Sequence, residues 1–392
     1  MLSPLARALP AMTALQATVA LGVFSLSVLA PQLGMSVVQL AALNTVLLSV
    51  GTLGALAAGR LLDRLGGWNV AALCAACVAA GMLCLMVGGP FAPWIAALLF
   101  GLAFGPETPA SASVLARVTP AARRPWVFSV RQTGNQIGAM TGSLLLPLLI
   151  VVNARLPYVV VAVLAVAMFG WCCLLSRDHR FARTDADRGG ATRSTGVALR
   201  SVLNSRPLLA LAFAALCYTA VQMCLNTFLM SLAVRDWRLD VTAASAWVAW
   251  LQAAGLAGRL FWGWLAQRTA SASHLLGWLG LLIAASGTAV MTWPAARSGA
   301  GLGLLVALLG FSASGWNGVL VAEVTRIAGP RDAGALTGAV LMFGYAGLAL
   351  SPLAFAGLSV AASMAAAFIG LFAAASIAGL VLILAPSEPG AI

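Results

Sequence analysis

Charge is scarce in this chain: Asp, Glu, Lys and Arg make up only 8% of its 392 residues, against about 25% in an ordinary soluble protein. A water-soluble fold is thereby excluded, and the 61% hydrophobic content places the polypeptide in a bilayer. Lysine is absent, so all 22 basic residues are arginine; we read this as a coding preference rather than chemistry. Histidine occurs only as His179, in a polar stretch, and His274, at the mouth of an apolar one, so neither signals buried acid–base work. No nucleotide-cradling glycine loop, metal-ligand cluster or catalytic triad is visible, which points away from an ATP-driven pump, a metal or other cofactor, and an enzyme. The seven cysteines lie almost entirely in apolar runs; Cys74 and Cys77 have a redox-like spacing but no further ligands, and read as small packing residues. The net charge of +12 is not gathered on any soluble segment, so nucleic acid is not expected as a partner.

What the chain has instead is long apolar runs. A spanning helix needs about 20 mostly apolar residues. Twelve such stretches fall near 11–31, 38–60, 69–88, 92–117, 126–152, 156–176, 207–232, 240–264, 274–293, 300–324, 333–357 and 361–385. This predicts an all-α, polytopic membrane protein with two six-helix bundles, 1–176 and 207–392, joined by a polar linker at 177–206 that holds a short surface helix near Val197–Leu203. With both termini inside, sixteen arginines are cytoplasmic and only Arg155, Arg235, Arg238 and Arg297 lie outside. That bias predicts that both termini are cytoplasmic.

The chain also repeats itself. Gly59-Arg60-Leu61-Leu62-Asp63-Arg64-Leu65-Gly66-Gly67 closes one apolar run, and a degraded copy, Gly263-Trp264-Leu265-Ala266-Gln267-Arg268, closes another 204 residues later. Thr133-Gly134 and Thr337-Gly338 keep the same offset, and Ala116-Arg117-Val118-Thr119 matches Ala322-Glu323-Val324-Thr325 at 206. A period near half the chain length indicates two similar halves in parallel. Glycines in each hinge would permit a tight turn and close helix approach.

Twelve spans in two halves with this repeated basic hinge resemble the major facilitator superfamily, over essentially the whole chain. Gly67-Trp68 and Gln267 depart from the usual hinge, which commonly has a basic residue at the first place and Asp at the second. Arg131-Gln132-Thr133-Gly134 and Gly315-Trp316-Asn317-Gly318 resemble a bacterial branch related to carriers of cyanate and other small anions. Gly258-Arg259-Leu260-Phe261-Trp262-Gly263-Trp264 is similar to the eighth helix of oxalate/formate antiporters and monocarboxylate carriers, where the Arg binds substrate carboxylate. The resemblance implies secondary transport by alternating access, with the hinge residues Gly59, Asp63, Arg64, Gly263 and Arg268 as a gate.

Ionisable residues inside a membrane are costly and therefore informative. Glu107, Arg131 and Arg259 lie well within spans. Glu107, between Pro106 and Pro109, reads as a lone carboxylate suited to carrying a proton, or else as a group facing an outer water funnel. Arg131 and Arg259 have at most one acid between them, so an anionic substrate would supply the missing charge; the alternative is that both snorkel to the headgroups. Arg117 and Glu323, at equivalent places of the repeat, suggest two locks, Asp63 with Arg117 and Glu323 with Arg268. Polar side chains at helical spacing extend the candidate substrate site to Gln132, Asn135, Gln136, Tyr218, Gln222, Asn226 and Gln252, with Trp316, Asn317 and Tyr345 as walls; a structural hydrogen bond is the alternative for each. The expectation is a monomeric, proton-coupled carrier of a small organic anion. Multidrug efflux, with Glu107 binding lipophilic cations, and a transporter-like sensor remain the alternatives.

Overall fold

The computed structural model describes residues 3–31, 33–120, 124–177, 195–266, 268–269, 271–292 and 300–384, apart from the side chains of 56, 124–126, 129, 195–196 and 329–335. His179, Gln267, Arg297 and most of the expected linker lie outside the described residues. The described residues form thirteen helices: α1 (Pro4–Leu29), α2 (Val37–Leu65), α3 (Gly67–Val87), α4 (Ala92–Val118), α5 (Arg124–Val152), α6 (Leu156–Ser176), α7 (Thr195–Asn204), α8 (Arg206–Arg235), α9 (Val241–Ala266), α10 (Ala272–Thr292), α11 (Ala300–Ala313), α12 (Trp316–Ala361) and α13 (Met364–Leu384). Ten stretches among them are long and apolar enough to cross a membrane. Those of α4 and α9, which carry Glu107, Gln252 and Arg259, are not among these ten.

The chain divides into two compact units, 1–189 with 239–249, and 190–238 with 250–392. In the first, α1 packs on α5, α2 on α4 and α3 on α6. In the second, α8 packs on α12 and α10 on α13, and α9 lies against α11. Glycine sets these approaches. A Cβ at Gly134 or Gly138 of α5 would strike the Thr13 or Ala17 carbonyl of α1, and one at Gly105 would strike the Gly51 carbonyl of α2. In the second unit the same holds for Gly258 against the Phe311 carbonyl and Gly310 against the Leu251 carbonyl. Gly51 and Gly54 on α2 stand 204 residues before Gly255 and Gly258 on α9, so the repeat reappears as matching helix contacts. The second unit adds an aromatic core, with Phe228 stacked on Phe355 at 4.4 Å and Phe355 edge-on to Phe368 at 4.7 Å.

Three local expectations are revised. The hinge turn is made by Gly66 (φ 81°), whose N–H donates to the Leu62 carbonyl, and by Gly67, where a Cβ would lie 2.8 Å from Val114 of α4. Gly59 instead sits within α2 with open space around it, so the turn and close approach fall to the later pair; Gly263 likewise sits within α9 with open space around it. Second, no loop separates the tenth and eleventh stretches, since 325–332 stays helical within α12. The left-handed glycines that mark turns among the described residues, Gly34, Gly66, Gly88 and Gly89, have no counterpart there.

Third, the helix breaks where none was expected, at Ser314–Gly315 between α11 and α12. The Trp262 indole N–H donates to the Phe311 carbonyl (3.0 Å), the acceptor that Gly315 would use in a continuous helix. The Gly315 N–H turns to the Ser312 carbonyl instead, at 3.2 Å. The small α7 matches the expected surface helix, burying Ala198 and Val202.

Candidate functional site

In the first unit, α4 and α5 bring together the only ion pair buried at both ends among the described residues. Glu107 and Arg131 are 3% and 2% exposed and bonded directly, Oε1 to Nη2. Ser111, one turn along α4, donates to the same Oε1 at 2.9 Å, while the Thr108 hydroxyl donates to Oε2 at 3.2 Å. The Arg131 Nη2 also reaches the Thr108 oxygen at 3.3 Å. This corrects the reading of Glu107 as a lone carboxylate and of Arg131 as uncompensated. Twenty-four residues separate them in sequence, and the α4–α5 packing cancels one charge with the other. Separately, Gln132, the next residue on α5, accepts from the Gln16 amide of α1 at 2.9 Å. Asn135 donates to Gln136 at 3.4 Å, and Gln136 is buried.

In the second unit the polar groups of α9 are held differently. Gln252 is buried and donates to Asn226 of α8 at 2.7 Å. Arg259, two turns along α9, makes no hydrogen bond or ion pair with another described residue, and its Nε is buried without a partner. Gly255 and Gly258 press this part of α9 onto Ser314, at the break, and onto Phe311 of α11. Arg259 as a whole is half-buried, and an anion pairing with it would satisfy the buried part of its guanidinium.

The expected lock between Glu323 and Arg268 is not formed. Glu323, 1% exposed, is held by the Ser273 hydroxyl at 2.6 Å and by Arg326, one turn on, at 2.8 Å. Arg268 lies over the Trp264 ring at 4.1 Å. Glu323 prefers Arg326 because the helix already places it at i+3, so less side-chain freedom is lost in pairing. Asp63, Arg64 and Arg117 stand exposed at the ends of α2 and α4, which pack together. Tyr218 is fully buried and donates to the Leu276 carbonyl at 2.9 Å, edge-on to Trp316 at 6.1 Å. Both side chains are buried within their bundle, and the Trp316 Nε1 is left without a hydrogen-bond partner. Gln222 and Asn317 are half-buried and Tyr345 is exposed.

A family model of the Major Facilitator Superfamily matches residues 9–352. The chain belongs to that superfamily. It is accordingly a membrane transporter rather than an enzyme. No curated protein matches it in sequence. Its fold is similar to that of a bacterial homolog of the human lysosomal transporter Spinster, solved inward-facing and unoccupied, with TM-score 0.78 and 16% identity over 98% of this chain and 97% of that one. The nucleoside transporter NupG gives 0.75 and 16%, covering 96% and 98%. A POT family transporter in complex with 5-aminolevulinic acid gives 0.72 and 13%, covering 96% and 95%. At these identities the likeness is one of fold.

Gln16, Thr108 and Ser111 were not among the residues expected at the site. Ser111 could have been found from its i+4 spacing to Glu107. Gln16 gave a weaker signal, a single amide in an otherwise apolar first span.

Proposed function

We propose that this transporter carries a small organic anion across the bacterial inner membrane, coupled to protons, by alternating access. One observation supports the anionic substrate above others: Arg259 has no acidic partner among the described residues, whereas Arg131 has one in Glu107. Both termini are read as cytoplasmic, from the arginine distribution, and the protein as a monomer.

The Glu107–Arg131 pair supports the reading of proton coupling. Protonating Glu107 removes its charge and leaves Arg131 positive in a low-dielectric setting, which an incoming anion can neutralise. Proton and anion then load together, and neither loads cheaply alone. The pairing of Glu107 also counts against a cation-binding efflux role, since its charge is already met.

The test is ligand-dependent stability of the purified protein in detergent. Small carboxylates at a hundred times their dissociation constant should stabilise the folded state by about 2.7 kcal/mol, and Arg259→Gln should abolish that gain. Stabilisation by lipophilic cations alone would sink the anion reading and favour efflux. In proteoliposomes, uptake of a stabilising anion should respond to an imposed pH gradient.

A further inference from the structure

The carboxylate of Glu107 meets two hydroxyls, and they differ in what lies behind them. Ser111 is fully buried and donates to Oε1 at 2.9 Å. Thr108 donates to Oε2 at 3.2 Å and is exposed, although Glu107 and Arg131 beside it are only 3% and 2% exposed. The Thr108 oxygen also accepts from the Arg131 Nη2 at 3.3 Å, so one of its two lone pairs is used and the other is open. Of the four side chains in this cluster, Thr108 alone touches both charges and the exterior of the bundle.

The exposed side of Thr108 is not the side of α4 that meets lipid. Ile95, Leu98 and Leu102 form an exposed apolar stripe along that helix, and Thr108 is turned away from Leu102 by about 120°. On the side that Thr108 occupies, Ala97, Gly101 and Leu115 are buried, so α4 is covered above and below it and open at its level. Among the described residues, Arg131 from α5 and the buried thiol of Cys74 from α3 are the other titratable groups within electrostatic reach of the carboxylate. Arg7 of α1, Arg60, Asp63 and Arg64 of α2, and Arg117 of α4 itself stand near helix ends. A guanidinium gives up no proton in this range, and Cys74 has no exposed side. Thr108 is the one polar contact of Glu107 that also opens outward.

We propose that Thr108 is the proton-relay residue of this transporter, passing protons between water on its exposed side and Oε2 of Glu107. In the loading step a hydronium ion gives a proton to the Thr108 oxygen while the Thr108 hydroxyl gives its own to Oε2. One O–H bond forms and one breaks at Thr108, the carboxylate becomes a neutral carboxyl, and a water molecule is left outside. The Arg131 bond to the Thr108 oxygen is kept, so the guanidinium stays in place as its salt bridge is neutralised. The inference rests on the proton-coupling reading above and adds the route by which that proton arrives.

The experiment uses the full chain in liposomes. Infrared difference spectra follow the protonated-carboxyl band after a rapid step to a pH below its midpoint, and the band is assigned to Glu107 by its shift in Glu107→Asp. In Thr108→Val, which keeps the shape and removes the hydroxyl, the band should grow at least about tenfold more slowly. Thr108→Ser should restore the wild-type rate. Ser111→Ala removes the other hydroxyl from the same carboxylate and should move the midpoint pH without slowing the step, because Ser111 has no exposed side. A purely structural hydrogen bond at Thr108 would move the midpoint and leave the rate alone. If Thr108→Val does not fold, the same rate is read in Thr108→Ala. A wild-type rate in the variant without the hydroxyl overturns the relay and leaves proton coupling standing. Equal slowing in Ser111→Ala, or slowing that persists in Thr108→Ser, overturns it too. Absence of a Glu107 carboxyl band at any pH overturns both readings.

Discussion

Two arginines within the apolar helices make opposite predictions at the level of single residues. Arg131 is tied to a buried carboxylate, so neutralising either partner strands a charge; Glu107→Gln or Arg131→Gln alone should cost about 3–5 kcal/mol in stability. The double substitution should cost less than the sum, and a double-mutant cycle on denaturation in mixed micelles measures the difference. Arg259 has no partner to strand among the described residues. Arg259→Gln should therefore leave the unliganded protein as stable as wild type, or more so, while removing its response to anions. Equal destabilisation by Arg131→Gln and Arg259→Gln would contradict this division of roles. Tyr218→Phe removes the bond to the Leu276 carbonyl and should cost about 0.5–1.5 kcal/mol without changing anion affinity. The three substitutions together separate packing, pairing and binding.

Helices decide what residues cannot. The α2–α4 crossing is set by bare backbone at Gly105, and the α9–α11 crossing by Gly258 and Gly310. Alanine at Gly105 or Gly310 must push whole helices apart, and we expect a loss of about 1–3 kcal/mol on thermal denaturation. Alanine at Gly170 on α6, which has nothing within 4 Å of its added Cβ, should be neutral or stabilise by up to about 1 kcal/mol. The break at Ser314–Gly315 depends on the Trp262 indole occupying the Phe311 carbonyl. Trp262→Phe frees that carbonyl for the Gly315 N–H, so amides at 315–317 should exchange hydrogen more slowly. Unchanged exchange there would mean that the break is fixed by the Gly315 backbone alone.

For the molecule as a whole, the solvent, the helical class, the repeat and the superfamily could all be read along the chain. Each of these depends on composition or on a regular spacing along the chain: apolar runs longer than about 20 residues, charges excluded from them, and a motif recurring after 204. Glu107, Arg131 and Arg259 stand out along the chain as well, because an ionisable group in lipid is conspicuous wherever it points. Which of these charges meet was decided only by tertiary structure. Glu107 finds Arg131 through the packing of α4 beside α5, while Arg259 finds no acid among the described residues. Glu323 takes Arg326 and Ser273 in place of Arg268, and Trp262 interrupts a helix that its own residues would have continued. Pairing energy falls off within a few ångströms, and a rotation of one helix moves a side chain by more than that. The spacing along a chain carries the period of a helix but not its rotation against a neighbour, and the site is made of such rotations.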